Sequence, residues 1–244
     1  MEYRIVEESS PPHCDGIVEV GGEKLYYRGR LELLNRPIVA VVGTRRPLQY
    51  TRQLTRQITS RLSQLGVAVI SGGAEGVDRE AHLGAFPNTI LVSPSSLDIP
   101  YPKSNRKLIN RIGREGLLLS QYREKFTPRR YTFLNRNRVI ISLAQVVIIP
   151  EGDIKGGSAN SYRWAKELRR PVWTIPHRWE ESRLSFKILE EGGEVIWSWK
   201  KLEELLRRYS LISPSTPSLF EEGEVTPSHP LSPEERALKE LFGE

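Results

Sequence analysis

PIVAVVGTRRPLQYTRQLTRQITSRLSQLGVAVISGGAEGVDREAHLGAF, residues 37–86, carries the pattern that decides the fold. An apolar run, Ile38–Val42, stops at Gly43, and a helical stretch near Gln49–Leu65 follows. A second apolar run, Val67–Ile70, stops at Ser71-Gly72-Gly73, and a second helical stretch covers Val77–Ala85. Runs of four or five apolar residues are strand-length, while the stretches between them place apolar residues at helical spacing. That alternation predicts βαβ units and therefore parallel pairing.

The rhythm continues toward the C-terminus through Thr89–Val92, a basic helix near Lys103–Arg114, and Leu117–Ser120. A helix near Phe133–Leu143, Val146–Ile149, a helix near Ala159–Leu168 and Val172–Ile175 come next. The expected fold is α/β: a Rossmann-like, doubly wound, mostly parallel sheet with helices on both faces. A helix near Arg183–Glu190, a short strand Glu194–Ile196 and a helix Lys200–Arg208 close it. Toward the N-terminus, Val18–Val20 and Lys24–Tyr27 flank Gly21-Gly22-Glu23 and predict a β-hairpin extension. The expected division is an extension over 1–36, the Rossmann-like domain over 37–208 and a Pro/Ser-rich linker over 209–230. A terminal helix over 231–244 follows, with Ser232 as N-cap and Pro233 in the first turn.

The chain has 244 residues, 38% hydrophobic and 27% charged, enough for one substantial core. No apolar run approaches the roughly 18 residues of a membrane helix, and Glu2, Glu7 and Glu8 sit where a secretory signal would be apolar. With Cys14 as the single cysteine, no disulfide framework or cysteine-based metal site is expected, and the expected compartment is the cytoplasm. The five tryptophans are expected to pack.

The net charge of +6 is unevenly spread. From Tyr209 onward seven glutamates stand against Arg236 and Lys239, so the tail carries −5 and residues 1–208 carry +11. Thr44–Arg61 has five arginines and no acid, and Tyr101–Arg138 has eleven Lys/Arg against Glu115 and Glu124. Such clustering suits a polyanion, since each neutralised phosphate releases counterions. A solvated basic face is an equally good reading of the composition alone.

Three glycine-bearing turns follow apolar strands: Gly43-Thr44-Arg45-Arg46, Ser71-Gly72-Gly73-Ala74-Glu75-Gly76, and Gly156-Gly157-Ser158. Parallel strands put all three at one sheet edge, where helix N-termini and exposed N–H groups suit phosphate. Neither G-x-G-x-x-G nor the Gly-x-x-x-x-Gly-Lys-Ser/Thr loop is present, which argues against a dinucleotide or P-loop nucleotide. Phe133-Leu134-Asn135-Arg136-Asn137-Arg138 combines an aromatic ring with two guanidinium groups, a mixture that stacks a base and grips its backbone. Phe133 taken alone reads as core, and Arg136 and Arg138 as a solvated helix face. Asp78 and His82, four apart on a predicted helix, read as a structural hydrogen-bonded pair.

These residues together resemble the DNA-processing protein A family, also called DprA or Smf. The resemblance runs from about Lys24 to Ile196. It rests on Leu25-Tyr26-Tyr27-Arg28-Gly29, Ile38–Val42 with Gly43-Thr44-Arg45, and Ser71-Gly72-Gly73-Ala74-Glu75-Gly76-Val77-Asp78 with Ala81-His82. Tyr101-Pro102, Asn105, Phe133 with Arg136-Asn137-Arg138, and Gly157-Ser158 follow in order. Glu75 departs from the family, standing where many relatives have a basic residue. The resemblance implies single-stranded DNA binding, a homodimer and help in loading the RecA recombinase onto incoming DNA, which it protects, during natural transformation. It implies no cofactor and no catalytic turnover. On that pattern Arg45 and the glycines of the second turn hold phosphates, Phe133, Arg136 and Arg138 line the strand's path, and Thr44, Arg46, Ser71, Asn105, Asn137, Gly157 and Ser158 join them.

Two rival readings share the fold. A nucleoside-monophosphate phosphoribohydrolase needs a glutamate soon after its Gly-Gly turn; here Gly156-Gly157-Ser158-Ala159-Asn160-Ser161 has no acid until Glu167. A nucleotide-sensing module would bind a mononucleotide in preference to an oligonucleotide.

Overall fold

The computed structural model describes residues 2–218. Its centre is a parallel array of β4 (Ile38–Val41), β5 (Ala68–Ser71), β6 (Thr89–Ser93), β7 (Leu117–Ser120), β8 (Val146–Ile148), β9 (Val172–Thr174) and β10 (Glu194–Val195). Three antiparallel strands extend one edge: β1 (Tyr3–Val6), β2 (Gly16–Val20) and β3 (Glu23–Gly29). Among the described residues the sheet order is β1-β2-β3-β7-β6-β5-β4-β8-β9-β10. The hairpin turns at Gly21 and Gly22, both at positive φ as a two-residue turn requires. Strand β3 pairs with β7, Tyr26 opposite Ser120, so the hairpin continues the main sheet. Strand β1 carries no alternating apolar signal and was not expected.

Alternation along the strands sends side chains to two buried faces. On β4 and the residue after it, Ile38, Ala40 and Val42 join one core with α4 (Arg130–Leu143), α5 (Gly157–Glu167) and α6 (Arg183–Glu190). Val39 and Val41 join the other with α1 (Gln49–Gln64), α2 (Val77–Ala85) and α7 (Trp199–Arg208). On that second face α3 (Arg106–Glu115) sets Ile109 and Ile112 against Leu91 and Leu118. Two buried faces explain why the strands read as continuous apolar runs.

Four expectations need correction. Helix α4 begins at Arg130, three residues before Phe133, where the Arg129 N–H donates to Thr132 Oγ1 at 3.1 Å. Helix α5 begins at Gly157, because Gly156 at φ +104° makes the turn that sequence alone left in the loop. Trp179 and Trp197 stay outside the core: they are 83% and 65% exposed, in loops after β9 and β10, with Trp179 meeting the Phe186 ring at 5.8 Å. The start of the Pro/Ser-rich stretch is not loose, since Leu211 and Ile212 are buried and Arg207 donates to the carbonyls of Ser213 and Pro214. The terminal helix expected over 231–244 lies outside the described residues.

Strand order changes direction beside β4: the chain runs outward through β5, β6 and β7, then returns to β8 on the other side. Beyond the carboxyl ends of β4 and β8 the flanking loops diverge, and a crevice is left between them.

Candidate nucleic-acid interface

The first turn, Gly43–Arg46, is pinned from both sides of this crevice. The Thr44 N–H donates to Glu151 O at 3.0 Å, and Thr44 O accepts the Val77 N–H at 3.1 Å. The Glu151 carboxylate in turn accepts the Leu48 N–H at 2.9 Å. Gly76, at φ +77°, lets the second turn touch the first: a β-carbon there would lie 2.6 Å from the Arg45 carbonyl. The backbone amides of Thr44 and Val77 are thus used internally. At the start of α5 no side chain caps the helix, and Gly157 has open space around it.

The second turn is braced from beneath. Ser71 Oγ donates to Val41 O at 2.6 Å, and buried Asn105 donates from Nδ2 to Gly73 O and Ala74 O at 3.0 and 3.1 Å. His82 Nε2 donates to Gly72 O at 2.6 Å, since a carbonyl can only accept, and Nδ1 faces Thr89 Oγ1 at 2.7 Å. The expected Asp78–His82 bond is therefore absent. Both ring nitrogens reach other elements, and burial lowers the His82 pKa to about 4, leaving the imidazole neutral.

Asp78 faces Arg136 instead, Oδ2 to Nη1 at 3.9 Å, with both side chains buried. Burial pushes the Asp78 carboxyl upward from its usual range, opposed by the Arg136 charge and the Ala74 N–H. Arg136 also reaches Val92 O at 3.4 Å and passes beside Gly72, where a β-carbon would overlap its guanidinium. It is neither a solvated residue nor an open grip. It forms the cleft floor.

Above that floor lies a cleft of about 210 Å³ lined by Arg45, Gly73, Ala74, Glu75, Tyr101 and Phe133 among others. Phe133 meets Tyr101 edge-on at 5.6 Å, and the Arg45 guanidinium lies 6.0 Å from the Phe133 ring. A contiguous recess of about 70 Å³ reaches Gly43, Asn137, Gly157 and Ser158. Phe133, Arg136 and Asn137 share one face of α4, as positions three and four apart must. Asn137 is engaged, donating to Gly157 O and Asn160 Oδ1 at 3.4 Å.

Of the expected site residues, Gly43, Arg45, Gly73, Phe133, Arg136, Asn137, Gly157 and Ser158 line the two connected spaces. Ser71, Gly72, Gly76, Thr44 and Asn105 hold the turns in place behind them. Arg138 does not join: it pairs with Glu23 on β3, because two residues along a helix rotate a side chain by about 200°. Arg46 is exposed beside the turn and lines neither space. Tyr101, quoted above for the family resemblance, and Glu75, a departure from the family that sets a negative charge beside the pocket, also line the cleft. Tyr101 meets Phe133 across 32 positions of chain, a partnership no local pattern encodes.

Residues 5–207 match the model of the family described as DNA recombination-mediator protein A. Protein Smf of Synechocystis is 36% identical over 187 residues, 73% of this chain and 47% of that protein. DNA processing protein A of Helicobacter pylori, described for its single-stranded DNA binding mode, superposes with a TM-score of 0.75 at 39% identity. It covers 85% of this chain and 97% of its own. DNA processing protein A of Streptococcus pneumoniae superposes at 0.70 with 33% identity, over 74% and 65% of the two chains. The chain spans about half the length of the curated relatives it matches. Among the described residues no helix is long and apolar enough to cross a membrane.

Proposed function

The chain belongs to the DNA recombination-mediator protein A family, and on that premise we propose that its cleft holds an unpaired DNA strand and passes it to the RecA recombinase. One observation carries this: the sheet's switch point brings a cation, Arg45, and an aromatic pair, Tyr101 and Phe133, to one cleft whose far end is the uncapped start of α5. Phosphates suit Arg45 and the α5 N–H groups, and a base face suits the rings. The action is binding without turnover. His82 has both ring nitrogens engaged and no lone pair left for a substrate. Protection of incoming DNA, a homodimer and a cytoplasmic setting belong to the same reading, supported by the family's description as a recombination mediator.

Fluorescence anisotropy with single-stranded oligonucleotides across a salt series tests it. Arg45→Ala is expected to weaken binding about 10-fold irrespective of sequence, and to lower the log–log salt slope by about 0.7 for one lost phosphate contact. Phe133→Ala is expected to cost about 1–3 kcal/mol for one lost stacked base while leaving that slope in place. A folded Arg45→Ala protein with wild-type affinity and slope removes Arg45 from the interface. RecA filament growth on coated single strands, with and without this protein, tests the hand-over. Equal growth in both would confine the function to binding.

A further inference from the structure

Glu75 is exposed on the second turn and lines the cleft beside Gly73 and Ala74. It makes no side-chain hydrogen bond or ion pair among the described residues. The other carboxylate near the cleft, Asp78, is buried against Arg136. Glu75 is thus an acceptor-only group at the wall of a space otherwise suited to an anion.

A DNA backbone offers that carboxylate nothing but acceptors. Phosphate and ribose ring oxygens carry no donor, and like charge keeps a phosphate from settling beside it. The donors of a single strand are on its base edges. At the ring position where cytosine bears the N4 amino group, thymine bears O4. A carboxylate accepts from the cytosine amino group and repels thymine O4. Resting on the single-strand reading above, we propose that Glu75 selects the base edge that enters the cleft, favouring the amino edge of cytosine over the keto edge of thymine.

The turn suits this task. Asn105 holds Gly73 O and Ala74 O, and Asp78 holds the Ala74 N–H at 3.3 Å, so the backbone carrying Glu75 is braced up to the residue before it. The Tyr101–Phe133 pair stacks any base without preference, and Arg45 grips backbone of any sequence. Discrimination therefore falls to Glu75.

Binding of dye-labelled oligo(dC) and oligo(dT) of equal length, at pH 8 and one salt concentration, provides the test. The two pyrimidines share ring size and backbone, so their ratio isolates the edge. The wild-type chain is expected to prefer oligo(dC) by about fivefold or more. Glu75→Gln, which both donates and accepts, is expected to bring the ratio near one, and Glu75→Lys to reverse it while raising affinity for both strands. Matching thermal unfolding of the variants confirms that fold is intact. If the wild type binds both strands equally, or the preference survives in Glu75→Gln, the edge-reading role falls while single-strand binding stands. If neither strand binds, the cleft's assignment to DNA fails and the proposal with it.

Discussion

Arg136→Ala is expected to lower unfolding free energy by about 3–5 kcal/mol, the cost of leaving a buried charge without its partner. Asp78 and Arg136 are both buried, on helices α2 and α4 from opposite faces of the sheet, and meet over the second turn. Forming such a pair adds little net stability, because two charges must lose their water. Deleting one member adds the full desolvation penalty of the other. Gly72 makes the geometry intolerant: a methyl there would overlap the guanidinium and lie 2.6 Å from the Asp78 carboxylate. Urea unfolding of Arg136→Ala, Asp78→Asn and the double variant Asp78→Asn/Arg136→Met measures this. The double variant is expected to recover most of the loss, giving a large coupling energy. A single Arg136→Ala cost below about 1 kcal/mol would mean that water or Val92 O satisfies the site without the pair.

Acidification from pH 6.5 to pH 4 is expected to remove about 3 kcal/mol of stability through His82 alone. Burial holds the folded His82 pKa at about 4 against an ordinary 6.5. Between those values the unfolded chain binds a proton that the folded chain refuses, so stability is full above pH 6.5 and falls as pH drops toward 4. The structural cause is explicit. A second proton on the ring would sit on Nδ1 facing Thr89 Oγ1, whose hydroxyl would then have to turn wholly toward Val69 O, 3.2 Å away. Urea midpoints of wild type and His82→Asn over this range isolate the effect, since other groups titrate alike in both. Parallel profiles, or a His82 resonance that titrates near pH 6.5, would refute it.

Much of this was legible in the chain before any tertiary contact was known. Ile38–Val42 and Val67–Ile70 are apolar throughout because both faces of their strands are covered, and that pattern names a parallel sheet. A glycine turn after each strand places the crevice, since parallel strands deliver their carboxyl ends to one edge. Composition located the positive charge, and the ordered motifs located the family. Local pattern could not tell which cation was free. Arg136 and Arg138 look alike in sequence, yet one is sealed beneath the cleft by Asp78 and the other is drawn to Glu23.

What the amino-acid order determined by itself was the succession of elements, because hydrophobic period and turn chemistry act over a few neighbouring residues. What only the tertiary structure decided was partnership: Asp78 with Arg136 instead of His82, Tyr101 with Phe133, Asn105 under the second turn, Glu75 left alone. Those pairings depend on which helix faces meet across the sheet. Packing sets them, and no short stretch of chain contains both partners.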